Sequence, residues 1–324
     1  MSEFRHVISF SGGKDSLATL LLALENCRTG TVIVIFCDTG NEHEETYEYL
    51  TYIEQACGIE IVRLKANFSR EIAAKRMFIA NDQRTGRDKS GRKLRWSNKA
   101  KRRALAVLHP TGNPFLDLCL WKGRFPSRKA QFCTEELKRN MAVEFQLDLV
   151  DKGYNVVSWQ GVRRDESHNR RNAKKIERVG PRLRIFRPIV ERTAAEVIKF
   201  AQLRGIEHNP LYRQGMSRVG CMPCINVGKD ELREISRRFP EHIARISEWE
   251  RLISQASKRG SSTFIGDAHT AKDLRTVFAE LNIWQRIEWA KTTRGGKQFN
   301  LLDDSSSGCS SSYGLCDAET EVAA

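Results

Sequence analysis

Near the start of the chain, the segment from Ser9 to Ser16 reads Ser-Phe-Ser-Gly-Gly-Lys-Asp-Ser and gathers two glycines, a lysine, an aspartate and three serines. Such a set suits an anion. Gly12 and Gly13 let the backbone approach a phosphate with no Cβ in the way, Ser11 and Ser16 offer hydroxyl donors, and Lys14 supplies a cation. A strand leading in and a helix leading out would add free N–H groups and the positive helix end at the same point. The pattern is not a Walker A loop, which needs four residues between its glycines and then Gly-Lys-Ser/Thr.

The flanking residues supply those elements. Residues 5–10 read as a strand, and Leu17 to Leu24 as an apolar helix. TVIVIFCDTG is a short β-branched run closed by Asp38 and Gly40, EETYEYLTYIEQACG reads as a helix stopped by Gly58, and IEIVRLKAN supplies a third strand. Strand and helix alternate, which predicts βαβ units and an α/β fold with a parallel sheet covered on both faces. Further on, QFCTEELKRNMAVEFQLDLV is helical, YNVVSWQG is a strand, and RIFRPIVERTAAEVIKFAQLRG is a strand leading into a helix capped by Thr193. Residues 84–103, with ten Lys or Arg against one Asp, read as an inserted basic loop. The sheet domain is expected over residues 1–215, and a smaller helical, cysteine-bearing region with a polar tail over 216–324.

Nine cysteines, an odd number, fit no framework of structural disulfides in a chain without a secretion signal or an apolar run near ~18 residues. The expected location is the cytoplasm, with no membrane contact. Cys221 and Cys224 form a C-x-x-C on a turn, a spacing shared by thiol redox sites and metal sites. Together with Cys309 and Cys316 they could supply four thiolates to an iron-sulfur cluster or a zinc ion, which would give the polar tail a reason to become ordered. Cys133 is a spare ligand, a sulfur-carrying nucleophile or a buried thiol. Cys27, Cys37, Cys57 and Cys119 occupy apolar contexts and read as core residues, as do Trp249, Trp284 and Trp289 in amphipathic helices. The seven histidines show no ligand spacing.

Lys and Arg number 54 against 40 Asp and Glu, a formal charge of +14. This favours an anionic partner such as a nucleotide or nucleic acid. Hydrophobic residues at 40% exclude a globally disordered chain.

As a set, the motifs resemble one family. SGGKDS resembles the pyrophosphate loop of the adenine nucleotide alpha hydrolase superfamily, whose members cleave ATP between the alpha and beta phosphates. DTGNEHEETYEYL, GVRRDES and NPLYRQGMSRVGCMPC resemble segments of its phosphoadenosine phosphosulfate (PAPS) reductase-like branch. The resemblance covers about residues 5 to 250 and implies a Rossmann-like sheet. Carried over by position, it makes Ser9, Ser11, Gly12, Gly13, Lys14, Asp15 and Ser16 the phosphate-binding group. It sets Asp38 and Thr39 at the nucleotide crevice, at the carboxyl edge of the sheet. Arg163, after VVSWQG, would reach the phosphates, so that Lys14, Asp15 and Arg163 are the expected catalytic group.

The family resemblance favours ATP with Mg²⁺, because the sulfonucleotide reductases usually lack an intact Gly-Gly-Lys-Asp-Ser. A lysine cation there suits a leaving pyrophosphate. The resemblance also tips the metal site towards [4Fe–4S], with zinc as the fallback, although Thr134 stands where cluster-bearing reductases carry a second cysteine beside the counterpart of Cys133. The implied activity is adenylation of an acceptor in sulfur transfer, as in the DNA phosphorothioation enzymes. DNA or RNA would be the acceptor, tracked by residues 84–103 and by KTTRGGK from Lys291 to Lys297, and a cysteine desulfurase would be the sulfur donor by analogy. The rivals are a PAPS or APS reductase of sulfate assimilation and a non-catalytic nucleic-acid-binding module.

Overall fold

The computed structural model describes residues 3–89, 91–265 and 274–293, with the backbone alone for 274–277. The chain divides into two compact units, each built from separated stretches. One runs to Lys65 and resumes over Lys138–Cys221; the other comprises Ala66–Leu137 and resumes at Met222.

The first unit is the sheet. Strands β1 (Phe4–Ser9), β2 (Val32–Asp38) and β3 (Ile61–Lys65) alternate with helices α1 (Lys14–Asn26) and α2 (Glu44–Cys57), as the periodicity predicts. His43 caps α2 by accepting from Glu45 N–H, Glu44 and Glu45 complement its dipole, and Gly58 at φ 62° ends it.

In the second unit, α3 (Ser69–Ala80), α4 (Asn98–Val107), α5 (Pro114–Lys122) and the short α6 (Phe132–Thr134) precede the return of the chain. Back in the sheet unit come α7 (Asn140–Asp151), β4 (Asn155–Trp159), β5 (Ile176–Arg178), β6 (Leu183–Phe186) and α8 (Ala194–Gln202). The helical run expected over QFCTEELKRNMAVEFQLDLV is present but passes through a π-helical turn at Glu135–Arg139. Thr193 caps α8 in a full capping box with Glu196.

The strand order is β3-β2-β1-β4-β6-β5, parallel except for the β5–β6 pair. Alternation along β1 sends Ile8 to one face, with Leu17, Leu20 and Leu50, and Val7 to the other, with Ile35 and Leu149. Both faces are thus buried, as an α/β parallel sheet requires.

The second unit is helical and is completed by α9 (Lys229–Arg238), α10 (Pro240–Ala256), α11 (Leu274–Leu281) and α12 (Ile283–Ala290). Phe115 on α5 stacks on Trp249 on α10, with ring centroids 5.6 Å apart, and Phe125 meets Phe264 edge-on at 5.3 Å. The Glu250 carboxylate accepts from the N–H groups of Phe264 (2.8 Å) and Ile283 (2.9 Å), and burial pushes its carboxyl up to about 7.

Several expectations are corrected. The contacts do not divide the chain at one boundary near residue 215, because α3 packs with α4 and α5, and these two pack with α10, so that residues 66–137 group with the helices after Met222. The basic segment is also not all loop. Asp82, buried beneath it, accepts from Arg84 Nε and Trp96 N–H, and Ser97 then caps α4, so residues 98–103 are helical. Trp249 is a core residue, but Trp284 and Trp289 are 48% and 39% exposed. The buried stripe of α12 is Ile283, Arg286, Ile287 and Ala290, which turns both tryptophans outward. The core reading holds for Cys119, which is buried, and for Cys27 and Cys57, which are half-buried and pack against the sheet core; Cys37 is also half-buried.

Candidate nucleotide site at the carboxyl ends of the strands

In the sheet order, β1 lies between β2 and β4, so the chain leaves β1 toward one side and later returns to the other. A crevice forms at such a switch point, beyond the carboxyl ends of the strands, and is where open α/β sheets hold ligands. The segments that meet there follow Ser9 of β1, Asp38 of β2 and Trp159 of β4.

The loop after β1 is shaped by its own side chains. Ser16 Oγ accepts from Ser11 N–H (3.1 Å) and donates to Gly13 O (2.8 Å), so this hydroxyl, expected on a phosphate, is committed to the turn. Gly12 has φ 75°, the left-handed region that favours glycine, and a Cβ there would lie 3.2 Å from Thr46 Cγ2. Gly13 precedes α1 as its N-cap and gives the helix no side-chain cap.

The expected catalytic group converges. Lys14 is buried and its Nζ lies 3.1 Å from Asp15 Oδ2, while Arg163 Nε lies 2.6 Å from Asp15 Oδ1. Arg163 is 2% exposed and also grips Asp165 at 2.5 Å and 2.7 Å. Burial alone would lower its pKa, but the two carboxylates outweigh it and raise the value, so the guanidinium stays charged.

Asp38 accepts from Gly40 N–H and from Tyr47 OH, both at 2.8 Å. Thr39 donates its N–H and its hydroxyl (2.7 Å) to Glu42, a carboxylate that is 3% exposed. Burial, then Glu42 and Asp38, push the Tyr47 phenol upward, so it acts as a donor.

Other residues at the crevice had no role assigned by their sequence context. Tyr212 OH accepts from Lys14 N–H at 3.1 Å and so holds the start of α1. Asn209 is 1% exposed; its Oδ1 accepts from Leu211 N–H, and its Nδ2 has no partner among the described residues. That amide nitrogen lies 3.7 Å from where a Cβ on Gly12 would stand. Thr46 Oγ1 is likewise buried without a partner. His208 is shifted downward, mainly by burial and further by the Lys14 charge, so it stays neutral. Gly161 passes so close to α1 that a Cβ would lie 2.8 Å from the Asp15 carbonyl carbon and oxygen. The signals were the NPLY and GVRRDES strings themselves, since an Asn before Pro and a Gly after a strand are both backbone devices.

A glycine cradle with an unpartnered buried amide donor at its rim fits a phosphate group. The cysteine set is less complete. Cys221 Sγ lies 3.3 Å from Thr39 Oγ1 in the sheet unit. Cys224 belongs to the helical unit, where its Sγ accepts from Asn226 N–H at 3.5 Å. Cys133, on α6, is half-buried in the helical unit, and its proximity raises the pKa of the fully buried Cys119 beyond what burial does. Cys309 and Cys316 lie outside the described residues, as does Lys297. Among the described residues, neither unit by itself brings three thiols to one point. No helix among these residues is long and apolar enough to cross a membrane.

An uncharacterized 37.8 kDa protein of the gpa 5′ region of Escherichia phage 186 is 45% identical, over 96% of each chain. An uncharacterized protein of Methanocaldococcus jannaschii is 26% identical over 78% of this chain and 42% of its own. Among solved structures, the PAPS reductase of Candida auris in a phosphate complex aligns with a TM-score of 0.40 and 15% identity, over 69% of this chain and 83% of its own. The FMN adenylyltransferase of Candida glabrata aligns with a TM-score of 0.37 and 13% identity, over 68% and 53% respectively. The model of the phosphoadenosine phosphosulfate reductase domain matches residues 5–227, so the chain belongs to that family.

Proposed function

We propose that this chain is an ATP-using enzyme that binds ATP with Mg²⁺ at Ser9, Ser11, Gly12, Gly13, Lys14, Asp15, Ser16, Asp38 and Thr39. It breaks the bond between the alpha and beta phosphates, transfers the adenylyl group to an acceptor oxygen and releases pyrophosphate. The terminal sulfur of a persulfide on a donor protein such as a cysteine desulfurase then attacks the activated acceptor, AMP leaves with the acceptor oxygen, and a second thiol attacks the S–S bond, leaving sulfur on the acceptor and a disulfide on the thiol partners. The observation that carries this reading is Lys14, retained in an intact loop and buried beside Arg163 on the shared carboxylate of Asp15. Two cations in a site of low dielectric stabilise the charge that grows on a leaving pyrophosphate far more than they would in water.

Each residue has a task in this scheme. Lys14 would neutralise the beta phosphate, Arg163 would orient the alpha phosphate, Asp15 would hold Mg²⁺, which would supply further charge neutralisation there, and Tyr212 fixes the first turn of α1. Asn209 donates its unpartnered amide to the anion. A [4Fe–4S] cluster, or zinc in its place, would be held by Cys221, Cys224, Cys309 and Cys316, with Cys133 as the alternative ligand, and would supply electron transfer or a structural anchor.

The family match itself favours a second reading, a sulfonucleotide reductase acting on PAPS or APS. Purified protein incubated separately with ATP plus acceptor and with PAPS plus thioredoxin decides between them. Pyrophosphate from ATP without sulfite from PAPS is expected, and sulfite alone would overturn the ATP reading.

A further inference from the structure

The helical unit contains a cleft of about 860 Å³, walled by α3, the end of α5, Trp96 and the segment that follows α10. That is the size of a site for a small organic ligand or a nucleotide, and far more than a lone inorganic anion needs. Five cationic side chains line it, Lys75, Lys122, Arg124, Lys258 and Arg259, against one acid, Glu71.

The way these groups are held matters more than their number. Lys75 donates to the carbonyls of Leu120 (2.8 Å) and Trp121 (2.7 Å), and Lys258 donates to those of Lys93 (2.6 Å) and Leu94 (2.7 Å). Carbonyls satisfy donors but do not cancel charge. Among the described residues, Lys122, 3.0 Å from Glu136, is the one of the five cleft cations with a carboxylate partner. Arg124 and Arg259 are exposed at the mouth. Through Lys258 the cleft is tied to the turn closed by the Arg87–Lys93 bridge, so its positive field continues over the basic segment 84–103.

Two further observations describe what an occupant must offer. Phe78 is 48% exposed on the cleft wall, and the Arg84 guanidinium lies over its ring at 4.7 Å, an aromatic and guanidinium pair of the kind on which bases stack. Glu71 Oε2 is buried without a partner among the described residues, so it calls for an N–H donor. A simple polyanion has neither a flat aromatic face nor such a donor. A base in a duplex has its faces covered by its neighbours, whereas an unpaired base presents both its faces and its N–H edge.

We propose that this cleft docks a single-stranded nucleic-acid segment, with one base against Phe78 offering an N–H to Glu71 and the phosphates following Arg124, Arg259 and the basic segment. This deepens the adenylation reading by naming its acceptor class and rests on that reading only for what happens after docking.

The test is binding of the full chain without ATP, by fluorescence anisotropy of a labelled 12-nucleotide single strand, over a series of salt concentrations. Unlabelled duplex of the same sequence, heparin and a mononucleotide serve as competitors. The single strand is expected to bind more tightly than the duplex and the mononucleotide. In Arg124→Glu/Arg259→Glu the affinity falls at least about tenfold, and the slope of log affinity against log salt shrinks by about 1.4, as for two lost phosphate contacts. Phe78→Ala weakens the single strand about tenfold and leaves heparin unaffected. Thermal melts that match the parent protein show that both variants fold. Equal affinity for duplex or heparin, or no effect of Phe78→Ala, overturns the proposal. Binding retained in Lys14→Ala, alongside lost pyrophosphate release, separates this site from the fate of the ATP reading.

Discussion

At the loop after β1, Lys14 and Arg163 are each held by a carboxylate within 3.1 Å, whereas around the cleft of the helical unit Lys75 and Lys258 are held by backbone carbonyls. The first arrangement balances charge inside a buried site, so it is quiet until a ligand with the right geometry reorganises it. The second leaves the charge uncancelled and acts at a distance, where salt screens it. One chain thus holds cations in two ways, one suited to selecting a small anion by shape and one suited to gathering a long anion by charge.

The largest effect that could break this contrast is at Lys14. Lys14→Ala should lower pyrophosphate release about a hundredfold to a thousandfold, at low and at high salt alike, in a single-turnover assay. A loss that appears only at low salt and vanishes at high salt would put Lys14 in the same class as the cleft cations. Gly161→Ala comes next. Its Cβ would meet the Asp15 backbone, so the sheet unit should lose about 1–3 kcal/mol by denaturant unfolding, with weaker nucleotide binding. Unchanged stability would mean that the loop after β4 does not press on α1.

Asn209→Asp keeps the cap on Leu211 but sets a carboxylate where an amide donor stood. Nucleotide affinity by calorimetry should fall about tenfold, with little change in melting temperature. A pH-dependent effect concerns the helical unit and its Glu250. Burial raises the folded pKa from 4.5 to about 7, so the folded state holds a proton that the unfolded chain releases between those values. Stability is therefore full below about 4.5 and falls as pH rises towards about 7, after which this contribution is flat. Melts across that window should show the decline in the parent protein and a flatter profile in Glu250→Gln.

Much of the sheet unit was legible because its signals are local. The β-branched run of TVIVIFCDTG, the glycine at the end of EETYEYLTYIEQACG and Thr193 before Glu196 each report on residues a few positions away, and strands and caps appear where those signals lie. The loop and Arg163 were legible as motifs. What stayed hidden was decided across long sequence separations. Tyr212 reaches Lys14 across 198 positions, Gly161 is needed only because α1 lies against it, and Trp284 and Trp289 face outward because another stripe of α12 found the core. The basic segment misled for a related reason, since ten cations in twenty residues hide the buried Asp82 around which the turn is built.

The interleaving of the two units sets the order in which the chain can fold. Among the described residues the backbone crosses between them at Lys65–Ala66, Leu137–Lys138 and Cys221–Met222. Ile8 in the central strand pairs with Trp159, so the sheet cannot close until the intervening helical segment has been made and its ends brought together. Pairing at such separation is slow, and the loop after β1 acquires the Arg163 cation only when β4 has docked. A fragment ending near residue 215 would hold the whole sheet but leave α4 and α5 without the α10 they pack against, and would emerge with their apolar faces exposed.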